Sequence, residues 1–116
     1  MWENLRVKLL RHGVDVTVVE GELDLGAHGA ADQRTIHRGA VATIADCALA
    51  SAAAADSTGA ATVDLRVEFF RPAMPGSIVA TARVTNRVAH LVFCEATVEQ
   101  EGEAVAHASG TIAVGH

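Results

Sequence analysis

The sequence predicts an α+β domain, with one strand, then a long helix, then four more strands. Three observations carry this expectation. Residues 41–55 (VATIADCALASAAAA) hold eight alanines and neither Gly nor Pro, and alanine is the strongest helix former. Residues 62–69 (TVDLRVEF) alternate strictly, with Val63, Leu65, Val67 and Phe69 on one side, the period of a half-buried strand. Three further strand-like runs follow, separated by turn-forming residues. A helix followed by a run of strands, rather than alternating strand and helix units, is the pattern of segregated α and β layers.

In chain order, residues 14–25 read as a strand interrupted at Gly21, and residues 26–35 (GAHGAADQRT) as a loop. Helical character begins near residues 37–39. Val41, Ile44, Ala45, Ala48, Leu49 and Ala52 form one apolar stripe at helical spacing. The other side carries Thr43, Asp46, Cys47, Ala50, Ser51 and Ala54, with a single charge among them. A solvated face would carry Lys, Arg and Glu, so both sides are expected to be covered, one of them by a second copy of the chain. Asp56-Ser57-Thr58-Gly59 ends the helix, with the glycine available as a C-terminal cap. Residues 71–76 (RPAMPG) are a turn-rich break, 86–89 a turn and 101–103 a hairpin loop. The strands 62–69, 78–85, 91–100 and 104–114 are expected to form an antiparallel meander.

The whole chain, residues 1–116, reads as one domain. With 50% hydrophobic and 20% charged residues it is not a disordered chain. Aromatics make up only 3%, so the core must be built from Ala, Val, Leu and Ile with close backbone approach. A net charge of −5 and no basic stripe with interleaved aromatics argue against nucleic acid as a partner. The longest apolar stretch, residues 41–55, is broken by Thr43, Asp46 and Ser51, which argues against a membrane partner. Cys47 and Cys94 are far apart in sequence, which points away from a disulfide scaffold. With no secretory signal at residues 1–6, the cytoplasm is the expected compartment. No metal site and no cofactor are expected: His28, His90 and His107 share no ligand spacing, and no Gly-rich nucleotide loop is present. Asp64, Arg66 and Glu68 share a strand face and read as a solvated or inter-subunit charge pattern.

Asp46 is the leading candidate for chemistry. It sits mid-helix among Ala, Ile, Cys and Leu. Burial there would favour the neutral acid and suit it to general-base or nucleophilic work; the alternative is a solvent-reaching side chain at the helix edge. His37-Arg38-Gly39 lies at the helix start. Free N–H groups and the positive end of the helix dipole can stabilise a carbonyl oxygen gaining charge, and Gly39 permits close approach of a ligand. The alternative is an ordinary loop-to-helix junction. Arg38 runs against the dipole preference, and so suits an anionic ligand or a partner's carboxylate.

Residues 37–46 (HRGAVATIAD) resemble the H-G-G-x-x-x-T-L-x-D/E signature of hotdog-fold acyl-CoA thioesterases of the phenylacetate-pathway type. Residues 62–73 (TVDLRVEFFRPA) resemble that family's T-x-D-x-x-x-x-F/Y-x-R-P-A strand and turn, and residues 104–114 its closing strand. The resemblance implies a long central helix wrapped by a five- or six-stranded antiparallel sheet. It implies homodimers joined sheet edge to sheet edge, commonly paired into homotetramers, with sites between subunits. It implies an acyl-CoA substrate, Asp46 as base or nucleophile, the Arg38 amide as the donor to the thioester carbonyl, His37 as an orienting group and Thr62 as a hydroxyl assisting the acid. Gly39 and Gln33 would line the substrate site, and Arg87 would sit near the CoA phosphates.

Two departures from the family pattern stand out. Arg38 replaces the glycine after the histidine, which keeps the backbone donor and adds a side chain. Ala31 occupies the position where the family tends to carry Asn or Gln, so Gln33 could serve only through a shifted loop. The competing reading is therefore a non-catalytic hotdog protein that binds an acyl-CoA or another hydrophobic small molecule.

Overall fold

The computed structural model describes residues 8–12, 16–24, 29, 35–54 and 59–115. Its elements are β1 (Lys8–His12), β2 (Thr17–Leu23), α1 (Arg38–Ala53), β3 (Ala60–Phe69), β4 (Gly76–Val88), β5 (Leu91–Gln100) and β6 (Glu103–Val114). All six strands form one antiparallel sheet in the order β1-β2-β4-β5-β6-β3. The architecture is the hotdog arrangement, a helix packed on one face of an antiparallel sheet that wraps it. No helix among the described residues is long and apolar enough to cross a membrane.

The helix forms where the alanines are. His37 caps it: its backbone is extended (φ −61°, ψ 136°) and its Nδ1 accepts from the Gly39 N–H at 2.8 Å. The imidazole thereby takes the place of the Ser or Asp oxygen that usually caps a helix. At the other end the helix closes at Ala54, whose N–H donates to Ala50 O at 2.9 Å. The expected glycine cap is not used: Gly59 lies beyond Ala54 and outside the left-handed region. Residues 55–58 lie outside the described residues.

Every residue of the expected apolar stripe is buried, and Ala40 and Ala53 join it. Against it the sheet turns Thr17, Val19 and Leu23 of β2, Ile78, Ala80 and Ala82 of β4, Val92, Cys94, Ala96 and Val98 of β5, and Ala106, Ala108 and Ile112 of β6. Small side chains on both layers let the backbones approach closely. At Gly110 in β6, an added Cβ would come within 2.9 Å of Asp64 O and 3.2 Å of Leu49 Cδ1. The other side of the helix, including Thr43, Asp46, Cys47, Ala50 and Ser51, is only half-buried in the single chain.

Three expectations about the strands need correction. The four post-helix strands are not a meander: only β4, β5 and β6 are, while β3 lies at the far edge against β6. The six residues 70–75 span from the end of β3 to the start of β4, and the Ile36 N–H bonds Ala73 O at 2.9 Å, tying this crossover to the helix start. The expected turn at 86–89 is strand as far as Val88; Asn86, read as a turn signal, pairs with Phe93. The reversal falls at Ala89 and His90, with Ala89 in the left-handed region at φ 55°. Finally, the strand read at 14–25 is narrower, at Thr17–Leu23, and Gly21 is a buried member rather than a break. Neither composition nor period marks β1 in the sequence, although six strands are within the range the resemblance implies.

Candidate active site

The structure brings Asp46 and Thr62 together. The Thr62 hydroxyl donates to Asp46 Oδ1 at 2.7 Å. This contact depends on an irregularity in β3. Thr62 pairs with Ile112, Asp64 with Thr111 and Leu65 with Gly110, so Val63 is an extra residue with no partner on β6. A bulge of one residue reverses the side-chain alternation on its two sides. Thr62 therefore shares the helix-facing side with Leu65, Val67 and Phe69, whose partners Gly110, Ala108 and Ala106 are all buried. Val63, expected on that side, is 62% exposed instead. Strict alternation would have turned Thr62 away from Asp46.

Asp46 is half-buried in the single chain rather than enclosed. The dry setting expected for it is not complete within one protomer, because the half-open helix face and the β3 edge leave it accessible. Next to it, the Cys47 thiol is pushed above its ordinary pKa, first by burial and then by the Asp46 charge. Cys94 is likewise raised by burial, with Arg87 pulling the other way. Both cysteines are free thiols. Among the described residues no group of three or more His, Cys, Asp or Glu could hold a metal.

A second cluster forms at the helix start. Thr35, Ile36, His37, Arg38, Val41, Phe69, Phe70, Arg71, Pro72 and Ala73 line a cavity of about 510 Å³. The first N–H of a helix has no intrahelical acceptor, and the Arg38 amide donates to none of the described residues. The Arg38 guanidinium lies 5.3 Å from the centroid of the Phe69 ring. Gly39 is held between its bond to His37 and the Thr43 hydroxyl, which donates to Gly39 O at 2.8 Å.

His37, Arg38 and Gly39 thus stand together at the cavity, and Asp46 and Thr62 stand together further along the helix. The two groups do not meet within one chain. Residues 38 and 46 are two turns apart, about 12 Å along the axis, and Asp46 is not part of the cavity wall. Arg87 is far from the helix start, near the end of β4 opposite the crossover, about 35 Å along the strand from Gly76, but it shares a cross-sheet row with Thr62 through Val92 and Ile112, about 14 Å away. Gln33, Ala31 and His28 lie outside the described residues. Sequence reasoning missed the part played by Phe69 and Phe70 in the cavity. The signal was present, since the chain has only three Phe and two of them are adjacent just before the Pro72 turn.

Comparison with known proteins bears on the family and the fold. The family model described as thioesterase superfamily matches residues 33–107. Among curated proteins nothing matches the chain. Among solved structures, the TT0310 protein of Thermus thermophilus is 28% identical, with a TM-score of 0.86, over 97% of this chain and 94% of that one. A substituted form of the phenylacetic acid degradation protein PaaI from the same organism is 30% identical, with a TM-score of 0.80, over 97% and 96%. The Escherichia coli PaaI protein from the phenylacetic acid degradation operon is 20% identical over 97% of this chain and 81% of that one, and its TM-score of 0.87 speaks to the fold. The chain belongs to the thioesterase superfamily, as a hotdog-fold protein of the PaaI-like type.

Proposed function

We propose that this protein hydrolyses a small acyl- or aryl-acyl-CoA thioester, at a site completed by a second copy of the chain. The observation that carries the reading is the Thr62 hydroxyl on Asp46 Oδ1 at 2.7 Å. A hydroxyl donating to one carboxylate oxygen orients the other toward a water or a thioester carbon. Asp46 then acts as general base or nucleophile. The Arg38 amide, at the positive end of the helix, stabilises the oxyanion. His37 holds that first turn in shape through its bond to Gly39. The mostly apolar cavity is of a size that suits a small acyl or aryl group.

The distance between the two halves supports the inter-subunit part of the reading. A general base must lie within about 3 Å of the proton it takes, or one water further. Two groups about 12 Å apart on one rigid helix cannot both reach a single thioester. Asp46 of one protomer and the Arg38 amide of another can, if two helices run side by side. The half-buried helix face has the composition of an interface, and β3 offers a ten-residue exposed edge beside it. An uncovered edge of that length is a template for pairing, so edge-to-edge dimerisation follows, with pairing of dimers into tetramers as the further step. A cytoplasmic location accords with the two free thiols.

The test is free-thiol release over a panel of short, branched and aromatic CoA esters, with Asp46→Ala beside the parent. The proposal expects release by the parent and a loss of about 100-fold or more in the variant. Stabilisation of the parent by CoA esters without any thiol release would support the binding-only reading instead.

A further inference from the structure

The acyl group itself can be specified further, on the basis of the thioesterase reading. The cavity wall carries apolar side chains from Ile36, Val41, Phe69 and Pro72, and two guanidinium groups, Arg38 and Arg71. Arg71 is paired with Glu103. Arg38 has no ion-pair partner among the described residues and rests on the Phe69 ring at 5.3 Å. Its place is electrostatically unfavourable. It is the first residue of α1, where the helix end is already positive, and the first turn contains no acid. Stacking on the ring offsets part of that cost and holds the charge against the cavity wall. An exposed guanidinium with no ion-pair partner among the described residues, stacked on a ring at the wall of a ligand-sized cavity of mixed polar and apolar lining, is complementary to an anionic oxygen group.

Reach decides where on the substrate that anion lies. With the thioester carbonyl on the Arg38 amide, the guanidinium of the same residue, five bonds from its Cα, extends about 6 Å. The nearest phosphate of CoA is at the end of the pantetheine arm, about 16 Å from the sulfur when extended. A carboxylate a few carbons beyond the carbonyl falls within range; the phosphate does not. We propose that the substrate is the mono-CoA thioester of a short dicarboxylic acid, and that Arg38 selects it by pairing with the free acyl carboxylate.

Non-hydrolysable thioethers test this whether or not the protein hydrolyses anything. S-(4-carboxybutyl)-CoA and S-pentyl-CoA, equal in chain length, are titrated by calorimetry into the parent, Arg38→Gln and Arg38→Lys. The parent is expected to prefer the carboxylate ligand by about thirtyfold. Arg38→Gln should bring the preference to within about threefold, and Arg38→Lys should keep part of it. The same two groups on pantetheine, which lacks the pyrophosphate, should show the same preference. Equal affinity of the parent for both CoA ligands overturns the proposal. So does a loss in Arg38→Gln that is equal for both CoA ligands and vanishes on pantetheine, since Arg38 would then read a phosphate. A carboxylate preference without thiol release from glutaryl-CoA would leave the selectivity standing and remove the hydrolysis.

Discussion

The two halves of the candidate site are built on opposite plans. The helix start is built within one chain: His37 caps the first turn, the crossover is tied to it by the Ile36–Ala73 bond, and both line a partly open cavity. The Asp46–Thr62 pair is assembled at an open margin, between a half-buried helix face and an exposed edge strand. The difference separates two tasks. Stabilising a carbonyl needs only a rigid backbone donor, which one helix supplies by itself. Handling water needs a carboxylate in a closed setting, and in the proposed function that closure comes from a second copy of the chain.

Substitutions in the two halves should differ in cost. Asp46→Ala should lower thiol release by about 100-fold or more, while thermal unfolding changes little, because the side chain is only half-buried. Thr62→Val should cost about tenfold in kcat, the worth of one hydrogen bond to a charged group, with little change in KM. An equal loss in both variants would mean that the hydroxyl and the acid act as one unit. Gly110→Ala tests the packing behind the margin. The new methyl would press on the Asp64 carbonyl and on Leu49, so denaturant unfolding should show a loss of about 1–3 kcal/mol. The smallest effect concerns Cys47. The Asp46 charge raises its thiol pKa, so Asp46→Asn should lower that pKa and increase the iodoacetamide alkylation rate near pH 8. A slower rate in Asp46→Asn would contradict the electrostatic coupling between the two side chains.

The parts of the molecule that follow a local period were legible in the sequence. The alanine-rich helix and its buried stripe follow directly from spacing. The pairing of Thr62 with Asp46 was legible only through the family resemblance, because strict alternation pointed the wrong way. The bulge at Val63 leaves no local mark, since Val is an ordinary strand residue. The placement of β3 beyond β6 was equally hidden: which edge a strand joins is settled by the helix and the crossover, not by the strand's own residues. Asn86 misled for a related reason. A turn-forming residue is a local preference, and pairing with Phe93 outweighed it. The cavity was invisible because it joins residues 35–41 to 69–73, which no linear motif brings together.

Complementation between two inactive variants tests the composite site most directly. Arg38→Pro removes the amide hydrogen at the first helical position, where proline is tolerated, and His37 already has the extended backbone that precedes a proline. Arg38→Pro and Asp46→Ala should each be nearly inactive alone. Unfolded together and refolded as an equal mixture, they should recover about one quarter of the parent's specific activity, because half of the dimers are mixed and each mixed dimer holds one intact site. If the mixture stays as inactive as its two components, with mixed dimers shown to form, then Asp46 and the Arg38 amide do not act on one thioester from two chains.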